Sequence, residues 1–206
     1  MLSDSLLGVG ENMLAVIMGH IGTGFVSANA ITSVVQRVAT IFITGLAFSG
    51  CFIVGQTLGE RRVAAAKRQG RTFLILGTAI GILASGIILL ISAPVIHSYN
   101  ITEQTRAIAF QLMESVSFIT IFRSANSILT KGVLQGGGDT QFLLLADLST
   151  MWLIAIPLGA LAGLVWHLPA FWIYMCLHAD QIIKAIWCVF RLHSDKWIKK
   201  VKGVEI

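Results

Sequence analysis

The sequence predicts an all-α fold: a polytopic membrane protein whose six transmembrane helices form one bundle. Three observations predict it. Of the 206 residues, 55% are hydrophobic and only 12% are charged, with a mean hydropathy of +0.81. A soluble domain needs a polar surface and carries about a quarter charged residues. The apolar residues fall in long runs, several of them reaching the roughly 20 residues that cross about 30 Å of hydrocarbon as a helix. Most of the charges gather at the ends of those runs. A soluble helical protein with a large core is the competing reading, and the run lengths argue against it.

The first span covers about 4–22 and is the most polar at its start, with Asp4, Glu11 and Asn12. The second, about 29–55, is long and carries Gln36 and Arg37 in its first half. The third, 72–98, is strongly apolar from Phe73 to Ile96 and meets Pro94 near its end. The fourth, about 107–131, contains Glu114, Arg123 and Asn126. The fifth, 142–165, holds Asp147 and Pro157, and the missing proline donor predicts a kink there. The sixth, about 169–191, holds Asp180 and Lys184. Small residues at helical spacing, Gly77 with Gly81 and Gly159 with Gly163, predict close helix contacts.

The connections alternate sharply in charge. The basic connection 59–71 carries five Lys or Arg residues, the basic C-terminal tail 191–206 five more, and the turn after the fourth span Lys131. The opposite side, formed by 99–106 and 163–169, carries only Arg106. Cytoplasmic loops retain the excess of Lys and Arg, so both termini and both basic blocks are expected in the cytoplasm of a multi-pass cytoplasmic-membrane protein. The net charge of +5 then reflects orientation and anionic lipid, and nucleic acid is not an expected partner. No phosphate-binding loop and no nucleophile–base–orienter set recurs at helical spacing, so neither an enzyme nor catalytic residues are expected. Cys51, Cys176 and Cys188 lie in apolar runs without metal-ligand spacing and read as small buried hydrophobes, with no metal site and no resident cofactor.

An ionisable side chain at mid-bilayer costs about 2.5–3.5 kcal/mol, so it normally faces a bundle interior, a cavity or a partner. Asp4 and Glu11 are two helical turns apart and share a side of the first span. Such a carboxylate pair in a membrane cavity can bind Na⁺ or exchange protons, although Asp4 also fits an N-cap at the interface. Arg123 and Asn126 share a face of the fourth span; Arg123 could pair with Glu114 or Asp147, or meet an anionic part of a ligand. Asp180 and Lys184 are four apart with the acid first. They either neutralise each other so that the sixth span inserts, or line a cavity. Asp147 reads either way. Asp4, Glu11, Arg123, Asn126, Asp147, Asp180 and Lys184 are therefore the candidate residues of a cation or substrate pathway.

Between the fourth and fifth runs lies Lys-Gly-Val-Leu-Gln-Gly-Gly-Gly-Asp-Thr, residues 131–140. This segment follows Ala28-Asn29-Ala30-Ile31, Val54-Gly55-Gln56-Thr57-Leu58-Gly59-Glu60 and Ala64-Ala65-Ala66-Lys67-Arg68-Gln69-Gly70. The ending from Lys184 through Lys199 completes the series. In order and spacing, over essentially the whole chain, these segments resemble the multidrug and toxic compound extrusion (MATE) family, specifically its C-terminal six-helix half. The turn motif rests on Gly132, Gly136, Gly138, Asp139 and Thr140, and the loop motif on Gly55, Gln56 and Gly59; an Arg is more usual in the family where Gln135 stands. The resemblance implies two six-helix bundles facing each other across a cavity that opens alternately to the two membrane faces. It implies a secondary antiporter exporting drug-like, often cationic, organic solutes in exchange for Na⁺ or H⁺. In one branch of the family the second half binds its cation through carboxylates on its first and fourth helices. Asp4 or Glu11 can supply the first, but Arg123-Ser124-Ala125-Asn126 at the centre of the fourth contains no acid. Six spans are half the family's complement, so the expected partner, beside membrane lipid and a small organic substrate, is an N-terminal half or a second copy. Two other readings stand beside this one: a lipid-linked saccharide flippase-like protein, whose cavity would be more basic, and a non-transporting remnant or assembly partner.

Overall fold

The computed structural model describes residues 2–166, 168–194 and 196–199, with side chains from Gly8 onward. All regular structure among them is helical. The helices are α1 (Leu2–Ile21), α2 (Thr23–Gly59), α3 (Val63–His97), α4 (Glu103–Ser127, running on as the π-helical turn Ile128–Leu134), α5 (Thr140–Val165), α6 (Ala170–Leu177) and α7 (Ala179–His193). Three helices, α2, α3 and α5, are long and apolar enough to cross a membrane, and α6 with α7 makes a fourth if the bent pair is one span. Large apolar side chains on their outer faces, such as Phe42 at 72% exposure and Leu90 at 80%, suit a lipid environment and no aqueous one.

α1 and α4 are more polar, and for α4 the packing explains why. It runs through the middle of the bundle against α2, α3, α6 and α7, so its polar side chains meet protein instead of lipid. Small residues let α3 and α4 close up, as the glycine spacing predicted. A Cβ on Gly81 would lie 3.1 Å from the Ile121 carbonyl oxygen. Ser124 donates to the Gly77 carbonyl at 2.7 Å, and Ser117 to that of Ser85 at 3.0 Å. Gly159 and Gly163 do the same for α5, against Leu177 and against Ile21 with Ile173.

The helices outrun the predicted spans. Ala64-Ala65-Ala66-Lys67 is a strong helix former, so residues 63–71 of the predicted basic connection become the opening turns of α3. The reversal contracts to Glu60–Arg62, with Arg61 at φ 59°. The turn predicted over 131–140 contracts likewise. Its helix continues through the π-turn, and the chain reverses only at Gly137–Asp139, with Gly138 at φ 86°. The glycines that read as helix breakers serve approach instead. A Cβ on Gly132 would lie 3.1 Å from the Ala47 carbonyl oxygen. One on Gly136 would lie 2.9 Å from that of Cys51 and 3.5 Å from the Gly55 nitrogen. Pro157 does not break its span: the preceding π-helical turn Met151–Ala155 accommodates it, and α5 stays one helix. The sixth span does break, at His178, where α6 and α7 meet at 42°.

Two apolar layers hold the bundle. One contains Phe25, Ile31, Leu112, Ile119 and Tyr174; the other contains Ile43, Val54, Phe73, Ile128 and Leu134. The second layer also receives the start of the basic C-terminal tail. Trp197 is fully buried beside Gly137 and Gly70, its Nε1 donates to the Leu192 carbonyl at 3.1 Å, and the Lys199 amide donates to the Gly137 carbonyl at 3.1 Å. Residues 200–206 lie outside the described ones. The described parts of both basic blocks thus sit at one end of the bundle, in line with the charge asymmetry.

Asp139 fastens this end. Its buried carboxylate lies 2.7 Å from Arg191 Nε and 2.7 Å from Lys199 Nζ, while Arg191 stacks 4.6 Å over Phe142. Burial alone would raise the Asp139 carboxyl. The hydrogen bonds and charges of Arg191 and Lys199 outweigh it and hold the group below the usual carboxylate range. A folded value below the unfolded one stabilises the docked tail above the unfolded pKa, and that stability disappears as pH falls through the folded value. The expected melting temperature therefore holds from neutral pH to about pH 4 and falls below it, with Asp139→Asn removing part of the acid-side fall. Identical acid-side curves for both proteins would contradict this role.

Candidate functional site

Between the two apolar layers the bundle has an open cavity of about 1030 Å³, lined mainly by polar side chains from five helices. α2 contributes Ser33, Gln36, Arg37, Thr40 and Thr44, three or four residues apart and hence one helical stripe. α4 and its π-turn contribute Arg123, Asn126, Ser127, Thr130 and Lys131 on the same rhythm. α7 supplies Asp180, Gln181 and Lys184; α5 supplies Asp147 and Met151; α1 supplies Glu11. The polar belt sits where the apolar layers part: on α2 between Val35 and Ile43, and on α4 between Ile119 and Ile128. The position is therefore mid-depth in the bundle.

Six of the seven predicted pathway residues, all but Asp4, meet in this one cavity. The side chain of Asp4 lies outside the described residues. Their partners differ from the expected ones. Lys184 does not turn to Asp180, four residues away on its own helix. It reaches across to α5 and forms an ion pair with Asp147, at side-chain exposures of 13% and 26%. Asp180 Oδ2 instead accepts from Gln181 Nε2 at 2.8 Å, and Gln181 Oε1 accepts from Asn126 Nδ2 at 2.9 Å. An amide chain thus links α4 to the start of α7. Arg123 pairs with neither Glu114 nor Asp147: Glu114 is exposed and absent from the cavity lining, and Asp147 is engaged by Lys184. Among the described residues Arg123, Arg37, Lys131 and Glu11 form no ion pair.

The turn and loop motifs lie away from the cavity, at the end where the tail docks. Gly132, Gly136 and Gly55 set the approach of α2 to the π-turn, Gly138 supplies the left-handed conformation, and Asp139 anchors the tail. Gln56, Gly59 and Thr140 are exposed there. The sequence reading did not select the α2 stripe, Thr130, Lys131 or Gln181. The spacing 33, 36, 37, 40, 44 was the available signal, polar positions at helical period inside an apolar run.

Four cations and three carboxylates line the cavity, a set of groups that can hold a charged solute or an ion. The MatE family model matches residues 2–161. The chain is 24% identical over 162 residues to the probable multidrug resistance protein NorM of Pseudomonas aeruginosa, covering 75% of this chain and 33% of that protein. It is 23% identical over 169 residues to the multidrug resistance protein MdtK of Photorhabdus laumondii, covering 78% and 36%. To the human multidrug and toxin extrusion protein 2 it is 26% identical over 149 residues, covering 72% and 25%. The chain spans about a quarter to a third of the length of these curated relatives.

Proposed function

Because this chain belongs to the MatE family, we propose that it is the C-terminal half of a secondary active antiporter. It exports drug-like organic solutes across the cytoplasmic membrane in exchange for Na⁺ or H⁺, and its basic end, with both termini, faces the cytoplasm. The single observation that carries this reading is the polar cavity at mid-depth, whose lining includes Glu11, Asp147 and Asp180 from three helices between the apolar layers. Carboxylates in such a place can take up a coupling ion, and a cavity of this size can take a drug-sized solute. Glu11 and Arg37 are exposed on the cavity's rim. A second six-helix unit, an N-terminal half or another copy of the chain, would cover them, since charged groups facing lipid cost several kcal/mol.

The test is dye accumulation in cells making this chain with and without a companion half, before and after ionophores collapse both the Na⁺ and H⁺ gradients. Efflux is expected only with the companion or in a dimer, and it stops on collapse. Efflux that continues without either gradient would defeat the antiport reading. Glu11→Gln and Asp180→Asn are each expected to lower efflux at least tenfold, on the order of one lost charge-assisted contact. A protein in which these variants and Asp147→Asn all leave efflux untouched would be a non-transporting assembly partner.

A further inference from the structure

We infer that the groove between α2 and α3 is a binding site for one acyl chain of a phospholipid, drawn from the leaflet opposite the basic end. The inference needs only that these helices lie in a membrane, and it is independent of what the polar cavity carries.

The groove follows from where small residues let the helices close. α3 is held to α4 along its middle. A Cβ on Gly81 would lie 3.1 Å from the Ile121 carbonyl oxygen, and Ser124 and Ser117 donate to the carbonyls of Gly77 and Ser85. α2 is held to the π-turn nearer the basic end, where Gly132 and Gly136 meet the carbonyls of Ala47 and Cys51. α2 and α3 come close at that same end, since a Cβ on Gly50 would lie 3.3 Å from the Phe73 ring. Toward the other end they part, and an open groove of about 650 Å³ lies between them. Val34, Val38, Ala39 and Phe42 line it from α2. Ile80, Leu83, Ala84, Ile87, Ile91 and Val95 line it from α3, at the three-and-four spacing of one helix face. Val35 and Ile88, only 6% and 1% exposed, are its floor and belong to the apolar layer beneath.

Shape and chemistry select the occupant. From Ile80 to Val95 α3 runs roughly 22 Å at 1.5 Å per residue, so the groove averages about 30 Å² in section. A helix with its side chains is about 10–12 Å across, some three times that section. A helix of a second copy is therefore too wide for the slot, and a single hydrocarbon chain fits it. No charged side chain lines the groove, and its only hydroxyls among the described residues, those of Ser98 and Tyr99, stand together at the end of α3. That distribution matches a molecule with a long apolar body and one polar end, and Tyr is a usual residue at headgroup level. A companion half does not fill the groove either. Gln36, Arg37 and Thr40 face the polar cavity, and Val34, Val38 and Phe42 lie on the nearly opposite side of α2. A unit covering Arg37 thus leaves the groove to lipid. Unfilled, its lining would forfeit dispersion contacts that a bilayer chain supplies.

The experiment places the whole chain in phosphatidylcholine nanodiscs doped with a phosphatidylcholine whose acyl chain carries a diazirine, and maps the photolabelled residues by mass spectrometry. Ala84 and Ile87 are expected to be labelled at least about fivefold more than Ile82 and Leu90, exposed neighbours on α3 outside the groove. A diazirine near the carboxyl end of the chain should label Val95 and Tyr99, and one near the terminal methyl Ile80 and Leu83. The double variant Ala39→Leu with Ala84→Leu, which fills the groove, should bring Ile87 down to the level of Leu90. Equal labelling of groove and neighbours in the unmodified chain, which needs no variant, overturns the inference. So does the reverse order of the two diazirines, which puts the headgroup at the basic end, or full labelling of a folded filled variant. Disulfide-linked dimers of Leu83→Cys that lose the labelling would seat a second copy in the groove, and loss of labelling to an equimolar hydrophobic dye would seat a solute. Either overturns the lipid site. None of these readouts is efflux, so their failure leaves the transport reading standing, and absence of efflux leaves the lipid site standing.

Discussion

Cutting Asp147 back to alanine is expected to destabilise the fold by about 2–4 kcal/mol, approaching the cost of leaving one member of a buried ion pair without its partner, since this pair is mostly withdrawn from solvent. Lys184 is the orphan. Its side chain is 13% exposed, on the wall of a cavity between two apolar layers, and among the described residues Asp147 is the only carboxylate that forms an ion pair with it. The cost comes from the stranded charge more than from the lost attraction, and this makes the prediction specific. The double variant Asp147→Asn with Lys184→Met, which removes both charges at similar volume, should regain most of the loss. Asp180→Asn, which leaves the Lys184–Asp147 pair in place, should cost about 1 kcal/mol. Denaturant unfolding in detergent micelles orders the four proteins. A double variant as unstable as the single one would show that the pair contributes attraction and not relief of a buried charge.

The same pair marks where sequence reasoning stops. That Asp147 and Lys184 lie in a shared polar site follows from the cost of charge in lipid, and six of the seven residues selected on that ground do converge. Which carboxylate Lys184 chooses does not follow. The i,i+4 rule favours Asp180 on the same helix, and only the packing of α5 against α7 brings Asp147 within reach. The helical class and the broad positions of the helices were legible because apolar run length is a local property. The boundaries were not, because Ala64-Ala65-Ala66 and the Lys131–Gly136 segment extend their helices for reasons outside hydropathy: helix propensity in the first, contact with α2 in the second. The polarity of α4 also has a plainer cause than a pathway. A helix surrounded by other helices need not be apolar. Gln36, Arg37, Thr40 and Thr44 could have been found from their spacing, since a polar stripe at helical period inside a membrane run faces protein or a cavity and not lipid.

Gly136→Val is the second change expected to have a large effect, destabilising by about 1–3 kcal/mol and loosening the cavity as it does so. A Cβ at Gly136 would lie 2.9 Å from the Cys51 carbonyl oxygen and 3.4 Å from its Cα. The obstacle is backbone, so no rotamer change can relieve it and α2 must move away from the end of α4. Those are the two helices whose polar stripes face the cavity one layer deeper. A wedge at Gly136 therefore separates Arg37 and Thr40 from Asn126 and Thr130 without touching any of them. Gly86→Ala supplies the contrast. That glycine is exposed in the middle of α3 with nothing within 4 Å of a new Cβ, so the substitution should stabilise by about 0.5–1 kcal/mol through helix propensity alone. Melting of both variants, together with dye affinity in nanodiscs, decides the matter. If Gly136→Val melts like Gly86→Ala and binds dye as the unmodified chain does, the close approach of α2 to the π-turn does not shape the site. If it loses both stability and affinity, the glycines of the turn act on the cavity from a distance, by fixing how near its two main walls stand.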